Sequence, residues 1–364
     1  MKILFLEPFY GGSHKEFALG FQAHSCHEIS ILGLPARFWK WRMRGAALYF
    51  ANQIKNIAEY DVIFATDMLD LTDFKAFAGK DIPPVVMYFH ENQLSYPLPE
   101  DQTRDFHLGF TNIICAAAAD KVLFNSQFQF NAFIREAQKL IKIMPDHRPG
   151  WMIDLIKNKA QIIYPGCRFE TGKPDIGKQD FTPPLIVWNH RWEFDKQPEL
   201  FFNVLKRIKD KNIDFSLAVL GEHSEQYPEI FDRAQKVFKD QIRVFGFVDS
   251  HEHYLCWLEK GTVVVSCAIQ ENFGISVVEA VRKGCLPLLP DRLSYPEIIP
   301  EQFHSQVIYG SEEELMKKLE KVLLNPQGYR EIRERLSLQM EKFAWENQVR
   351  KFDQILEEVK ICHL

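Results

Sequence analysis

The sequence predicts an α/β fold of two Rossmann-like domains, and three observations lead to it. Short runs of β-branched and aromatic residues alternate with stretches of helical period, the pattern of parallel sheets with crossover helices. The chain has 364 residues, too many for one ordinary hydrophobic core and comfortable for two. A stretch rich in breakers, Pro165-Gly166 followed by Gly172, Pro174, Gly177, Pro183 and Pro184, separates two series of strands, after which the alternation restarts.

Taken in order, the first series places strands at 3–6, 28–32, 62–65, 85–89, 122–124 and 162–164, with helices between them. The opening run Ile3-Leu4-Phe5-Leu6 ends at Glu7. It is shorter than the roughly 7 to 15 residues of a signal-peptide core and reads as a first strand. The second series has strands at 186–188, 216–220, 244–247, 263–266 and 286–289. From about Pro326 onward the chain is charged and helical in period, without strands. The organisation expected is a first domain over 1–170, a linker over 171–184, a second domain over 185–343 and a final helix over 344–364 that packs back on the first domain.

Composition narrows the function classes. Hydrophobic residues make up 46% and charged residues 26% of the chain, a globular balance, and no segment approaches the roughly 18 apolar residues of a membrane helix. Seven cysteines without a Cys-x-x-Cys pair argue against a zinc site or thioredoxin-like centre and favour reduced thiols in the cytoplasm. The net charge of -5 arises wholly after residue 165. It gives no global argument for a polyanionic partner, although a local basic surface suffices for one.

Several clusters carry chemistry. After the first strand, Gly11-Gly12-Ser13-His14 leads into a helix, and Ser13 with Glu16 has the spacing of a capping box,. Glycines there serve a tight turn or allow backbone N–H groups to approach a phosphate, and by themselves do not choose. The absence of Gly-x-Gly-x-x-Gly excludes the dinucleotide fingerprint. In the second half Glu271-Asn272-Phe273-Gly274-Ile275 runs on to Glu279. Glu271 precedes the expected helix start near Gly274 and Glu279 lies along the helix. They make two separated acceptors, suited to the sugar and ribose hydroxyls of a nucleotide sugar, while the backbone of Phe273, Gly274 and Ile275 offers N–H groups to a diphosphate. His251-Glu252-His253 lacks a third ligand and reads as solvated, and there is no Asp-x-Asp motif for a divalent metal.

The block from Ile242 through Val263-Val264-Val265-Ser266-Cys267 to Glu279 resembles the donor domain of glycosyltransferase family 4. That resemblance implies a GT-B architecture, two facing Rossmann-like domains with a central cleft, and catalysis without a metal or other cofactor. It also implies that Arg191 and Lys196, after the strand ending Trp188-Asn189-His190, neutralise the donor diphosphate. His90, in Met87-Tyr88-Phe89-His90-Glu91-Asn92-Gln93-Leu94-Ser95-Tyr96-Pro97, takes the place of a family histidine near the donor sugar. That segment, the opening Glu7-Pro8-Phe9-Tyr10-Gly11-Gly12-Ser13-His14, Phe124-Asn125-Ser126 and Asn189-His190-Arg191-Trp192-Glu193 with Asp195-Lys196 are similar to the tRNA-queuosine mannosyltransferases over nearly the whole chain. The resemblance implies GDP-mannose as donor, queuosine in the tRNA anticodon loop as acceptor, and His90, Glu271, Arg191 and Lys196 as the catalytic set.

One stretch bears on the acceptor. Arg37-Phe38-Trp39-Lys40-Trp41-Arg42-Met43-Arg44 interleaves cations and aromatics, which suits phosphates and splayed bases, or else an amphipathic helix with its aromatic side in the core. Two rival functions stand beside the mannosyltransferase: a related enzyme with a glycan or lipid acceptor, and a non-catalytic tRNA-binding protein with a degenerate donor site.

Overall fold

The computed structural model describes residues 1–98, 103–169, 176 and 181–363. These form two compact units, one of Met1–Arg168 with Phe343–Leu364 and the other of Phe169–Lys342. Most of the linker expected at 171–184 lies outside the described residues.

The first unit is built on β1 (Lys2–Tyr10), β2 (Glu28–Pro35), β3 (Val62–Thr66), β4 (Val85–Phe89), β5 (Lys121–Phe124) and β6 (Ala160–Ile162), all parallel, in the order β2-β1-β3-β4-β5-β6. Its helices are α1 (Gly12–His24), α2 (Trp39–Gln53), α3 (Leu71–Phe77), α4 (Phe106–Ala118), α5 (Gln127–Ile143) and α6 (Trp151–Lys159). The central strands are continuously apolar because both sheet faces are covered. Leu4, Leu6, Ile63, Ala65, Val85, Met87 and Phe89 point to one core with α2 to α6, while Ile3, Phe5, Val62, Phe64, Val86 and Tyr88 point to the other.

The second core includes the end of the chain. In chain order the second unit's helices are α7 (Pro198–Asp210), α8 (Ile230–Val237), α9 (His251–Glu259), α10 (Ile275–Arg282), α11 (Tyr295–Ile298), α12 (His304–Val307), α13 (Glu312–Leu324) and α14 (Arg330–Gln339), and α15 (Trp345–Cys362) returns to the first unit. Trp345, Phe352 and Leu356 of α15 pack against Phe17 and Phe21 of α1. A Cβ on Gly20 or Gly166 would overlap the Trp345 indole, so both positions need glycine for close approach,. Polar anchors complete the joint: Ser25 Oγ donates to Asp353 at 2.6 Å and Lys360 to Asp61 at 2.8 Å.

The second unit's strands are β7 (Leu185–Asn189), β8 (Ser216–Leu220), β9 (Ile242–Gly246), β10 (Val263–Val265), β11 (Leu286–Pro290) and β12 (Ile308–Tyr309), in the parallel order β12-β11-β10-β7-β8-β9. Strand order reverses between β7 and β10, where open α/β sheets bind ligands at strand C-terminal ends. The first sheet reverses between β1 and β3.

Four sequence expectations are corrected. The strand placed at 162–164 is Ala160–Ile162; beyond it Tyr164 packs on Phe343 at 5.3 Å and Cys167 N–H donates to the Phe343 carbonyl at 2.7 Å, drawing the chain off the sheet. The strand placed at 244–247 is Ile242–Gly246, and Phe247 stands exposed beyond it. The two-residue β12 had no apolar run long enough to signal it. No capping box forms: Gly11 is the N-cap with no side-chain cap, and Ser13 lies inside α1 because the chain already turns at Gly12, φ +51°.

Candidate active site

In the second unit the reversal point gathers residues from three segments. The chain leaves β10 through a loop carrying Glu271 and turns at Gly274, φ 96°, into α10,. The first N–H groups of α10, from Ile275, Ser276 and Val277, have no partner within the helix and carry its positive end. Phe273 is buried, its carbonyl accepting from Ser294 Oγ at 2.8 Å, which anchors the loop.

Lys196 enters from the segment after β7. It is buried, with Nζ donating to the Gln270 carbonyl at 2.6 Å, 3.2 Å from Asp195 and 3.7 Å from Glu271. The ammonium therefore reaches the Glu271 loop while a buried counter-ion, Asp195, offsets its desolvation. Arg191 is exposed, 3.0 Å from Glu193. Glu279, in the second turn of α10, accepts from Tyr254 Oη at 3.1 Å, and Asn189 Nδ2 donates to Tyr254 Oη at 3.1 Å and to the Ser276 carbonyl at 2.7 Å. Burial, then the charge of Glu279, pushes the Tyr254 phenol well up, so it stays a donor,. Behind these groups His190 is buried and its pKa is lowered to about 3, first by burial and then by Lys196.

Thus Glu271, Phe273, Gly274, Ile275, Glu279 and Lys196 are gathered around the start of α10, and Arg191 lies on the same β7 segment. Sequence reasoning missed Tyr254 and gave Asn189 no role. Asn189 ends a strand beside a reversal point, a signal that was available, whereas the pairing of Tyr254 with Glu279 left none. His251, Glu252 and His253 are exposed in the first turn of α9.

In the first unit polar groups collect at the C-terminal ends of β1, β3 and β4. His90 follows β4; its N–H donates to Asp67 Oδ1 at 2.8 Å and its carbonyl accepts from Asn125 Nδ2 at 2.8 Å. Nearby amides are buried and paired, Asn92 Nδ2 donating to Gln129 at 2.6 Å and Asn112 Nδ2 to the Asp67 carbonyl at 3.1 Å. Gly11 and Gly12 sit before and at the start of α1, and a Cβ on Gly11 would overlap Ala36. Close packing thus demands Gly11, independently of any ligand.

His14, on α1, lies 3.2 Å from the fully buried Glu7. Burial is the largest influence on His14 and lowers its pKa, but Glu7, with Asp67 and Glu91, raises it to about 9. Because that value lies above the unfolded imidazole's roughly 6.5, the pair stabilises the fold fully below that pH, and the contribution is lost as pH rises through about 9,. Glu7, His14 and His90 bring ligand atoms within 4.8 Å of one another. The proton shared by Glu7 and His14 competes with any cation there, since a metal takes only a neutral imidazole.

The cation and aromatic stretch begins α2. Phe38, at φ 54°, is 73% exposed and Trp41 65% exposed, whereas Trp39 packs against the buried cluster of Met43, Met68 and Leu108. The amphipathic reading with all aromatics inside is therefore wrong for Trp41, because the helix turns it away from Trp39. Lys40 and Arg44 are exposed like Arg37, Arg42 Nε donates to the Pro35 carbonyl at 3.2 Å, and Arg44 lies 3.4 Å from Asp70.

Residues 2–167 match the family model of the tRNA-queuosine alpha-mannosyltransferase N-terminal domain, and residues 173–343 match that of the glycosyl transferases group 1. A tRNA-queuosine alpha-mannosyltransferase of Drosophila melanogaster is 34% identical over 363 residues, 96% of this chain and 95% of that one. The chain belongs to the tRNA-queuosine alpha-mannosyltransferase family. It is a glycosyltransferase. Among solved structures, sucrose-phosphate synthase from Thermosynechococcus elongatus has a TM-score of 0.77 at 13% identity, and Anabaena HepE in complex with UDP 0.67 at 16%, with 100% of each chain covered in both comparisons. The apo lipopolysaccharide outer core galactosyltransferase WaaB has a TM-score of 0.63 at 13% identity, again over 100% of both chains. These likenesses concern fold alone, and with the two six-stranded parallel sheets they identify the family member's architecture as GT-B. Among the described residues no helix is long and apolar enough to cross a membrane.

Proposed function

We propose that the chain transfers mannose from GDP-mannose to queuosine in the tRNA anticodon loop, with retained configuration. The observation that carries the donor chemistry is the arrangement around α10: separated carboxylates at Glu271 and Glu279, a helix N-terminus between them, and Lys196 beside Glu271. In this reading Glu271 orients the sugar, Glu279 the ribose and His90 the sugar hydroxyls. Arg191, Lys196 and the N–H groups around Phe273, Gly274 and Ile275 stabilise the negative charge that grows on the leaving diphosphate. Gly11 and Gly12 bring the start of α1 to the phosphates. The departing phosphate takes the acceptor proton on the face it leaves. The acceptor assignment is supported by the relative's name and full-length match. The cation and aromatic start of α2 supports a tRNA contact through Arg37, Lys40, Arg42 and Arg44. Seven cysteines with no disulfide among the described residues support a reducing, cytoplasmic setting,.

The test is incubation with labelled GDP-mannose and tRNA that contains or lacks queuosine. Label is expected only in queuosine-containing tRNA. Donor hydrolysis without transfer moves the acceptor to a glycan or lipid, and tRNA binding without donor turnover favours a degenerate site.

Activity is also expected to survive exhaustive chelation, because protein cations and backbone dipoles take the neutralising role. Complete loss with EDTA, restored by magnesium or manganese, refutes that assignment.

A further inference from the structure

Beside His90 the first unit contains a buried pair, Glu7 and His14, with no role in the transfer scheme. Glu7 near the end of β1 accepts the Phe9 N–H with Oε1 at 2.8 Å, and its Oε2 meets His14 Nδ1 at 3.2 Å. His14 also meets His90, ring centroids 4.3 Å apart and tilted 42°. Phe17 and Tyr88 close on the His90 ring edge to face, each at 4.8 Å. The His90 backbone is tied to Asp67 and Asn125. The ring is thus held by three aromatic neighbours, while its buried Nε2 has no hydrogen-bond partner among the described residues.

We propose that Glu7 and His14 form a positioning pair for His90, a fixed imidazolium that keeps the adjacent imidazole neutral with Nε2 available to a sugar hydroxyl. The proposal rests on the assignment of His90 to the donor sugar. Two imidazoles in contact resist carrying charge together, and the carboxylate of Glu7 selects which one is protonated. Glu7 bonds to His14, so the charge settles there, and burial followed by the His14 charge holds the His90 pKa well below its ordinary value.

The charged and titratable groups around the pair are Glu7 from β1, Asp67 after β3, and Tyr88 and Glu91 from β4 and its loop. Asp67 is itself pushed well up, by burial and then by Glu91. A neutral His90 offers one hydrogen bond at Nε2, the chemistry of a hydroxyl partner. A second imidazolium would instead attract the diphosphate oxygens and compete for the place of the sugar. Glu7 and His14 touch neither reactant; they act through the ring they hold.

Histidine-labelled full-length protein, followed by NMR titration without substrate, tests the proposal. In the unaltered chain His14 is expected to titrate near pH 9 and His90 to stay neutral well below its usual range. Glu7→Gln keeps the volume and should lower the His14 pKa by more than about one pH unit, while His14→Gln should raise that of His90 by about one. Activity supplies a second readout: kcat/KM for GDP-mannose should have an acid limb where His90 gains a proton, and that limb should move to higher pH by about one unit in His14→Gln. On that acid limb kcat/KM should fall about tenfold in His14→Gln, with KM for tRNA unchanged.

A pair that merely supports the fold would lower the melting temperature and leave the His90 titration alone. The proposal is overturned if wild-type His14 titrates near its ordinary value, or if a stably folded His14→Gln leaves the His90 titration and the pH profile unchanged. Should His14→Gln fail to fold, Glu7→Gln and the wild-type titration decide alone. Failure of the wild-type enzyme to mannosylate queuosine tRNA would overturn the proposed function, and the substrate-free titration would still stand as a separate result.

Discussion

Glu271→Gln is expected to lower kcat by about 10- to 150-fold while leaving the fold intact, the loss anticipated when a charged hydrogen bond of roughly 1.5 to 3 kcal/mol is weakened in the transition state. Glutamine fills the same volume, so the loop between β10 and α10 keeps its packing through Phe273 and Gly274. The substitution does not strand Lys196, because Asp195 remains 3.2 Å from its ammonium and the Gln270 carbonyl 2.6 Å away. Stability should therefore change little, and thermal melting of the purified variant checks that. Wild-type kcat in a correctly folded Glu271→Gln enzyme removes Glu271 from the catalytic set.

Neutralising Arg37, Lys40, Arg42 and Arg44 together is expected to weaken tRNA binding strongly and leave GDP-mannose affinity nearly unchanged. Removing one phosphate-bound cation should reduce the salt slope of log K by about 0.7 to 0.9, so removing four reduces it by about 3. The slope separates direct binding of phosphate from damage to the fold. Damage is a specific concern chiefly at Arg44, which lies 3.4 Å from the buried Asp70, whose carboxylate caps α3 through the Asp73 N–H, and less at Arg42, whose Nε donates to the Pro35 carbonyl at 3.2 Å. The variant lacking only Arg37, Lys40 and Arg42 is the control, with an expected slope reduction of about 2 to 3. Trp41 and Phe38 are exposed and suitable for a later stacking test; Trp39 packs into the unit. A stably folded quadruple variant that binds and modifies queuosine tRNA like its parent rules this helix out as the acceptor surface.

The parts of the candidate site legible in sequence are those whose members lie close together along the chain. Glu271, Gly274 and Glu279 are separated by one loop and two helical turns, so their relation survives almost any packing of the helix. Lys196 was identified with its segment, but its bond to the Gln270 carbonyl closes a sequence gap of 74 residues. The roles of Tyr254 and Asn189 depend on gaps of 25 and 87 residues. Likewise Gly11-Gly12 reads as a turn in the sequence, but the capping box expected from Ser13 and Glu16 does not form. Local spacing marks a candidate cap, whereas the start of the helix depends on where β1 releases the chain.

What the sequence determined by itself is the alternation of strands and helices in two series and the motif from Glu271 to Glu279. Both follow from local physics: doubly buried strands require unbroken apolar runs, helices require their own period, and a turn at φ 96° favours glycine at position 274,. Only the tertiary structure decided the order β2-β1-β3-β4-β5-β6 in one sheet and β12-β11-β10-β7-β8-β9 in the other. It also decided which aromatics of the Arg37–Arg44 stretch are exposed, and that His14 stands between the Glu7 carboxylate and the His90 ring. Strand order, burial and the sharing of a charge are set by groups distant along the chain, and they acquire definite values only when the packed core removes water from between them.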